Sequence, residues 1–320
     1  MIKHTVRRAL SMCGAHLLGG FGRPAMSPIP PGVALLGEER SVSGRARRIL
    51  AGSLVLTATL VVIGPSGAGA VTAPIVGIES TASGTGYWLV NSTGGEYSFA
   101  APYLAPTYCD PSFTGPVLGI ASTPDHLGFW EYDANGQLAC FGDAGFFGDT
   151  GSLHINSPVV GMAATPDGRG YDLAAADGGD YSFGDGRFYG SEGGQPLPRP
   201  IAGIAEYPIG QSATTGGYWM FSTGGHVYPF GSAVRYGTMN SRHQVVDLAS
   251  TGDGLGYWVT ESDGHVSHFG DAAGHGSTSA PGGDPIVAMA VSPDGGGYWE
   301  VDATGIVYPH GDAVFHGSVP

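Results

Sequence analysis

The chain has 320 residues, with 13 Lys plus Arg against 27 Asp plus Glu and 57 Gly. The acid excess is concentrated: residues 71–320 carry five Arg, no Lys and 25 acids, a formal net charge of −20. Such a surface repels phosphate backbones and anionic bilayers, which argues against nucleic-acid and membrane-surface partners, while it suits solubility and can gather cations.

Residues 1–44 have no place in a normal export signal. They read as an unstructured extension or as a start placed too far upstream, with Met26 an internal candidate. Residues 45–70 read as a secretory signal peptide. Arg45, Arg47 and Arg48 form a basic n-region, 49–63 is apolar, free of charge and short for a bilayer span, and Ala68-Gly69-Ala70 is a small-x-small cleavage site. Cleavage after Ala70 leaves a mature chain without a membrane span, secreted or associated with the cell wall. An uncleaved N-terminal anchor is the alternative, and Arg47-Arg48 leaves a twin-arginine route open. Of the three cysteines, Cys13 lies in the leader, while Cys109 and Cys140 remain as a pair in an oxidising compartment. They either bridge the end of the first repeat to the second or sit apart as small apolar residues, since spacing alone does not fix the geometry.

Residues 71–320 are six copies of one unit. Each opens on an apolar run, and the copies start near 74, 116, 158, 200, 244 and 285, at spacings of 42, 42, 42, 44 and 41. The last copy shows the plan. An apolar run at 286–291 is followed by Ser292-Pro293-Asp294-Gly295, which is turn chemistry. An aromatic run at 297–301, a turn at 302–305, a third run at 306–308, Gly311-Asp312 and a short fourth run at 315–318 complete it. The Gly-aromatic step recurs as Gly86-Tyr87-Trp88, Gly128-Phe129-Trp130, Gly170-Tyr171-Asp172, Gly217-Tyr218-Trp219, Gly256-Tyr257-Trp258 and Gly297-Tyr298-Trp299. All five Trp fall at one repeat position, and Asp172 takes the sixth.

Four short runs at this period, with Gly turns and no helical periodicity, predict an all-β, six-bladed β-propeller of four-stranded blades. A right-handed β-solenoid is the rival, although its coils are usually shorter. Neighbouring Tyr and Trp point to opposite faces of their strand, so each strand should send one ring into each adjoining layer. The first copy starts at its inner strand and the last ends just after its outer one. Closure is therefore expected by packing alone, or with slight pairing from 71–73 and 319–320.

The order of apolar strand, Ser-Pro-Asp-Gly, aromatic strand, Asp-Gly and short strand resembles the blade grammar of WD40-type propellers, without the WD or GH dipeptides. More closely, 158–171 (PVVGMAATPDGRGY) and 177–191 (DGGDYSFGDGRFYGS) are similar to the tandem repeat of secreted proteins from high-GC Gram-positive bacteria. That resemblance spans roughly 74–320. It implies an exported propeller-like array, sometimes joined to cell-wall hydrolases, and no activity or catalytic residue of its own.

The chemistry-bearing residues point to binding before catalysis. There is no GxSxG elbow and no HExxH. The Gly-Asp aspartates Asp143, Asp185, Asp271 and Asp312 are read as turn residues bonding downstream backbone, since one Asp per blade does not make a calcium shell. His275 and His316 fall where other copies have Phe147, Tyr189 and Tyr236, and are read as ring replacements in packing. The variable connections 105–115, 149–157, 191–199, 238–243 and 278–284 share one face of a propeller and carry Tyr108, His154, Asn156, Arg199, Asn240, Arg242 and His243, the expected binding residues for an extracellular glycan or protein. No cofactor is needed for that reading. The alternative is a propeller hydrolase or lyase with Ca²⁺ or another divalent metal in the central channel, held by Glu79, Glu206 and Asp247. A structural spacer is the third reading.

Overall fold

Each copy of the repeat becomes one antiparallel three-stranded sheet. The computed structural model describes residues 73–107, 109, 113–208, 216–278 and 283–320, so the extension at 1–44, the expected signal peptide at 45–70 and Tyr108 lie outside the described residues, as does 210–215, which the sequence marks as an insertion in the fourth copy. The first sheet is β1 (Ile75–Ser80), β2 (Tyr87–Asn91) and β3 (Glu96–Phe99), and the second is β4 (Val117–Ser122), β5 (Phe129–Asp133) and β6 (Leu138–Phe141). The third is β7 (Val159–Ala164), β8 (Gly170–Ala175) and β9 (Asp180–Gly184), and the fourth is β10 (Ile201–Glu206), β11 (Gly217–Ser222) and β12 (Val227–Gly231). The fifth is β13 (Val245–Ser250), β14 (Gly256–Glu261) and β15 (Val266–Gly270), and the sixth is β16 (Ile286–Val291), β17 (Gly297–Asp302) and β18 (Val307–Gly311). The described residues contain no helix.

The middle strand of every sheet is buried along its whole length. A strand covered on both faces needs near-continuous apolar sequence, and the aromatic run supplies it. In every sheet but the fourth, which has Tyr207 at this position, a Thr or Ser hydroxyl fastens the first hairpin. Thr123 Oγ1 donates to Gly128 O at 3.1 Å, Thr165 Oγ1 to Gly170 O at 3.1 Å and Ser292 Oγ to Gly297 O at 3.0 Å. The same threonines reach the Gly-Asp aspartates, Thr123 to Asp143 at 3.2 Å, Thr165 to Asp185 at 3.3 Å and Thr251 to Asp271 at 3.3 Å. These aspartates therefore tie two turns of one sheet together, where the sequence had suggested only a local bond to downstream backbone.

Neighbouring sheets meet through rings, as the strand alternation predicts. The Trp of one sheet packs on the Tyr or Phe of the next: Trp88 on Phe129 at 5.7 Å, Trp130 on Tyr171 at 5.5 Å, Trp219 on Tyr257 at 5.7 Å and Trp258 on Tyr298 at 6.2 Å. Trp299 of the sixth sheet packs on Tyr87 of the first at 5.6 Å. A backbone bond accompanies each seam, from the N–H of Val117 to Ser92 O, Val159 to Ala134 O, Ile201 to Ala176 O, Val245 to Thr223 O, Ile286 to Ser262 O and Ile75 to Ala303 O, all at 2.9–3.0 Å. Along the first strands the backbones come so close that a Cβ on Gly161 would lie 2.8 Å from the Gly203 Cα. Side chains of more than one hydrogen cannot sit there without displacing the neighbouring strand.

The expected fourth strand is not formed. The run after the third strand carries no ladder to it, because its carbonyls are taken by side chains. Indole Nε1–H groups donate to it within the sheet, from Trp130 to Gly145 O, Trp219 to Val234 O and Trp299 to Val314 O, each at 2.8 Å. Tyrosine hydroxyls of the following sheet donate to it as well, from Tyr171 to Gly148 O, Tyr218 to Gly190 O, Tyr257 to Gly237 O and Tyr87 to Gly317 O, each at 2.6 Å. Gly148 and Gly317 have φ of 127° and 141°, outside strand geometry and open only to glycine. Among the described residues, only the second sheet has a further edge partner. Residues 105–107 and Cys109 lie along β6, with Thr107 N–H donating to Cys140 O at 2.8 Å and a bridge between Pro106 and Phe141. A Cys109–Cys140 disulfide, Cα atoms 5.4 Å apart, holds that segment down.

Tyr87 is placed to test the seam between the sixth and first sheets. Its hydroxyl also accepts the His316 N–H at 3.1 Å. Tyr87→Phe removes both bonds while keeping the ring, as Phe129 does naturally, and is expected to lower stability by about 1–2 kcal/mol, read from the urea unfolding midpoint.

Candidate functional site

Two places gather polar side chains from different sheets. The first is a pocket of about 420 Å³ where the connection entering β10 meets the connection entering β13. It is lined by Arg199, Pro200, Thr223, Ser241, Arg242, His243 and Gln244. The stem of Arg199 lies on the Gly224 turn. Ser241 shapes the second wall, its hydroxyl donating to His243 O at 2.6 Å and also reaching the Glu261 carboxylate. His243 Nε2 stands 3.4 Å from Asp263 Oδ2. Neither Arg199 nor Arg242 has an ion pair or a side-chain hydrogen bond among the described residues. Two unpartnered guanidinium groups flanking one concavity form an anion receptor, since each offers a planar fork of donors matched to carboxylate or phosphate.

Three of the seven residues expected from the variable connections thus come together. Asn240 is exposed and adjoins Ser241 without lining the pocket, and His154 and Asn156 are exposed on the connection between the second and third sheets. Tyr108 lies outside the described residues.

The second place is a cavity of about 1010 Å³ lined by the first strand of all six sheets. Its walls are largely Gly, Ala, Val, Ile and Met, with Glu79, Asp247 and Tyr132 as the interacting polar groups. Asp247 occupies the position that is Gly77, Gly119, Gly161 and Gly203 in other copies, and its carboxylate accepts the N–H of Leu248 at 2.8 Å and of Met289 at 2.9 Å. Burial pushes Asp247 up to about 6 despite those two bonds. Burial likewise raises Glu79 to about 7, with Ser122 opposing and the Asp247 charge adding. The Tyr132 phenol is raised too, by burial and then by the charges of Asp247 and Glu79. Two buried carboxyls thus lie within electrostatic reach of one another and of a phenol.

The expected trio Glu79, Glu206 and Asp247 does not act as one group. Glu206 borders the cavity, but its carboxyl interacts with Asp172 and Asp180 of the third sheet. The reason is its place at the end of β10, opposite Tyr218, at the seam side of the strand. Among the described residues no three His, Cys, Asp or Glu side chains converge as a metal ion requires.

His275 and His316 are packing groups. His275 lies 5.7 Å from the Tyr298 ring and His316 5.8 Å from Tyr87, the same relation that Phe147 has to Tyr171 at 5.6 Å. Sequence reasoning missed His126. It takes the left-handed φ of 54° where other copies place Gly84, Gly168, Gly254 and Gly295, and its Nδ1 lies 2.9 Å from Ser80 O of the first sheet. It missed the buried pair at the seam of the fifth and sixth sheets as well, where His310 Nε2 stands 2.9 Å from Glu300 Oε2 and Thr278 donates to the same oxygen at 2.6 Å. Aligning the six copies column by column exposes both.

No helix among the described residues is long and apolar enough to cross a membrane. Compared with known proteins, the sequence matches no family model and no curated protein.

Proposed function

We propose that residues 73–320 close into a six-bladed β-propeller that is exported and serves as a binding module at the cell envelope, taking an acidic glycan at the Arg199–Arg242–His243 pocket. Closure is supported by the seam between the sixth and first sheets, which repeats the contacts of the others, including the Ile75 N–H to Ala303 O bond and the Tyr87 hydroxyl to Gly317 O bond. Export is supported by the signal-like segment at 45–70. The observation that carries the binding reading is the convergence of two unpartnered arginines from separate connections, in a region with only five Arg against 25 acids. Both are exposed, and they stand over one concavity.

The test is calorimetric titration of the full chain with a uronic-acid oligosaccharide, a glycerol-phosphate polymer and a neutral oligosaccharide. Binding of a charged ligand, weakened by salt, is expected. Arg199→Ala with Arg242→Ala should weaken it at least about tenfold, since a charge-assisted bond contributes roughly 1.5–3 kcal/mol. Equal binding of neutral and charged ligands, or none by either, overturns the reading. The Glu79–Asp247 pair is the observation that favours the second reading, a channel hydrolase or lyase, and turnover of any of the three ligands would support that reading.

A further inference from the structure

The third and fourth sheets meet at the one seam without a tryptophan, and three departures from the repeat converge there. Asp172 takes the Trp position. Asp180 opens β9, where β6, β12, β15 and β18 open with Leu138, Val227, Val266 and Val307 and only β3 has another acid, Glu96. Glu206 ends β10, where the other first strands end in Ser80, Ser122, Ala164, Ser250 and Val291. Asp172 is 1 % exposed, and neither of its carboxyl oxygens has a hydrogen-bond partner. Both oxygens of Glu206 and Oδ1 of Asp180 are buried without partners too. The other Asp180 oxygen accepts the Tyr218 hydroxyl at 3.0 Å and the Ser182 hydroxyl at 3.2 Å.

Five unpartnered carboxyl oxygens in one seam are costly as anions, and no cation acts on them to offset the charge. The other titratable groups facing the cluster are Tyr181 on β9, with Asp177 on the turn before it, Tyr218 on β11, and Asp185, Arg187 and Tyr189 on the run that follows β9. Arg187, the one cation among them, acts on the Tyr189 phenol and on none of the three carboxyls. A bound proton answers both difficulties, because it cancels a charge and turns an orphaned acceptor into a donor.

We propose that Asp172, Asp180 and Glu206 form a proton-binding site that holds the third and fourth sheets together in mild acid and loosens their seam as the medium turns alkaline. The electrostatics agree. Burial raises Asp172 to about 7, and the Asp185 charge adds to it. It raises Asp180 well above its ordinary value, with the Asp172 charge next in weight. Glu206 rises to about 10 through burial, then the charges of Asp172 and Asp180. All three shifts are upward, so the closed seam holds more protons than the opened one. Its stability is complete below the ordinary carboxylate range near pH 4 and falls as pH climbs through the raised values, each group favouring opening up to about tenfold per pH unit in that window.

Amide hydrogen exchange on the full chain tests this. The Ile201 N–H donates across this seam to Ala176 O at 3.0 Å, and the Val159 N–H makes the matching bond to Ala134 O between the second and third sheets. After correction for hydroxide catalysis, protection at Ile201 should fall at least about tenfold from pH 5 to pH 8 while Val159 changes far less. Asp172→Asn with Asp180→Asn and Glu206→Gln should flatten the Ile201 profile, and Asp172→Asn alone, the milder variant, should shrink the fall. Parallel profiles at Ile201 and Val159, or a wild-type profile unchanged in Asp172→Asn, overturn the proposal. So does recovery of wild-type protection at pH 8 on adding millimolar calcium chloride, which would make the site one for a divalent cation.

Discussion

Trp299→Ala should cost about 3–5 kcal/mol, the range for truncating a fully buried aromatic, and on a domain of ordinary stability that is enough to populate unfolded chain. Trp299 is 0 % exposed and belongs to a cluster with Ile75, Ile78, Tyr87 and Leu89 of the first sheet and Val301 and Val307 of the sixth. Its loss removes packing on both sides of one seam, and its Nε1–H bond to Val314 O goes with it, releasing the outer run. Trp299→Phe keeps most of the ring contact and loses the bond, so it should fall between wild type and alanine. Urea unfolding followed by circular dichroism reads all three. Combining Trp299→Ala with Tyr87→Ala should cost less than the two separately, because the two rings share one contact. Full additivity, or an alanine cost below about 1 kcal/mol, would mean that the sixth and first sheets are not held as the other pairs are.

The same residues show what the chain discloses before folding. The period near 42 and the adjacency of Tyr to Trp were enough to place one ring in each layer, because side chains of successive strand residues must point to opposite faces. The pocket was half legible. Arg199, Arg242 and His243 were marked by lying in variable connections, yet only the crossing of two connections separates them from Asn240, His154 and Asn156. The fourth strand was misjudged because a run of the right length and polarity says nothing about where its carbonyls go. Here indole and phenol groups compete for them successfully. The acid seam was hardest to see. Asp172 stood out alone as a missing Trp, while its partners Asp180 and Glu206 sit 8 and 34 residues away, one of them in the next copy. What joins them is the packing of β8 and β9 against β10, and nothing local in the sequence encodes that. Each replaces an apolar or small residue at its own repeat position, so the signal lay in comparing copies rather than in any motif.

Reducing the Cys109–Cys140 disulfide is the second large effect expected. The bond closes a loop of 31 residues between the end of the first sheet and β6 of the second. In the chain-entropy model a loop of that size restricts the unfolded chain by roughly 3–4 kcal/mol. The folded side of the balance matters as well. Cys140 lies opposite Trp130 on β6 and is 0 % exposed, and the segment it anchors supplies the second sheet with an edge partner found in no other sheet among the described residues. Without the tether that segment depends on three backbone bonds, of which Cys140 N–H to Cys109 O is long at 3.4 Å and Gly142 N–H to Ala105 O is 3.3 Å. Weak bonds at a sheet edge open readily, so reduction should both lower the unfolding midpoint and expose 105–109 to protease before the rest of the chain. Cys109→Ala with Cys140→Ala should reproduce both effects and remove any response to dithiothreitol. A midpoint that dithiothreitol leaves unchanged in the wild type, under denaturing conditions where the sulfurs are reachable, would show that the tether carries no stability.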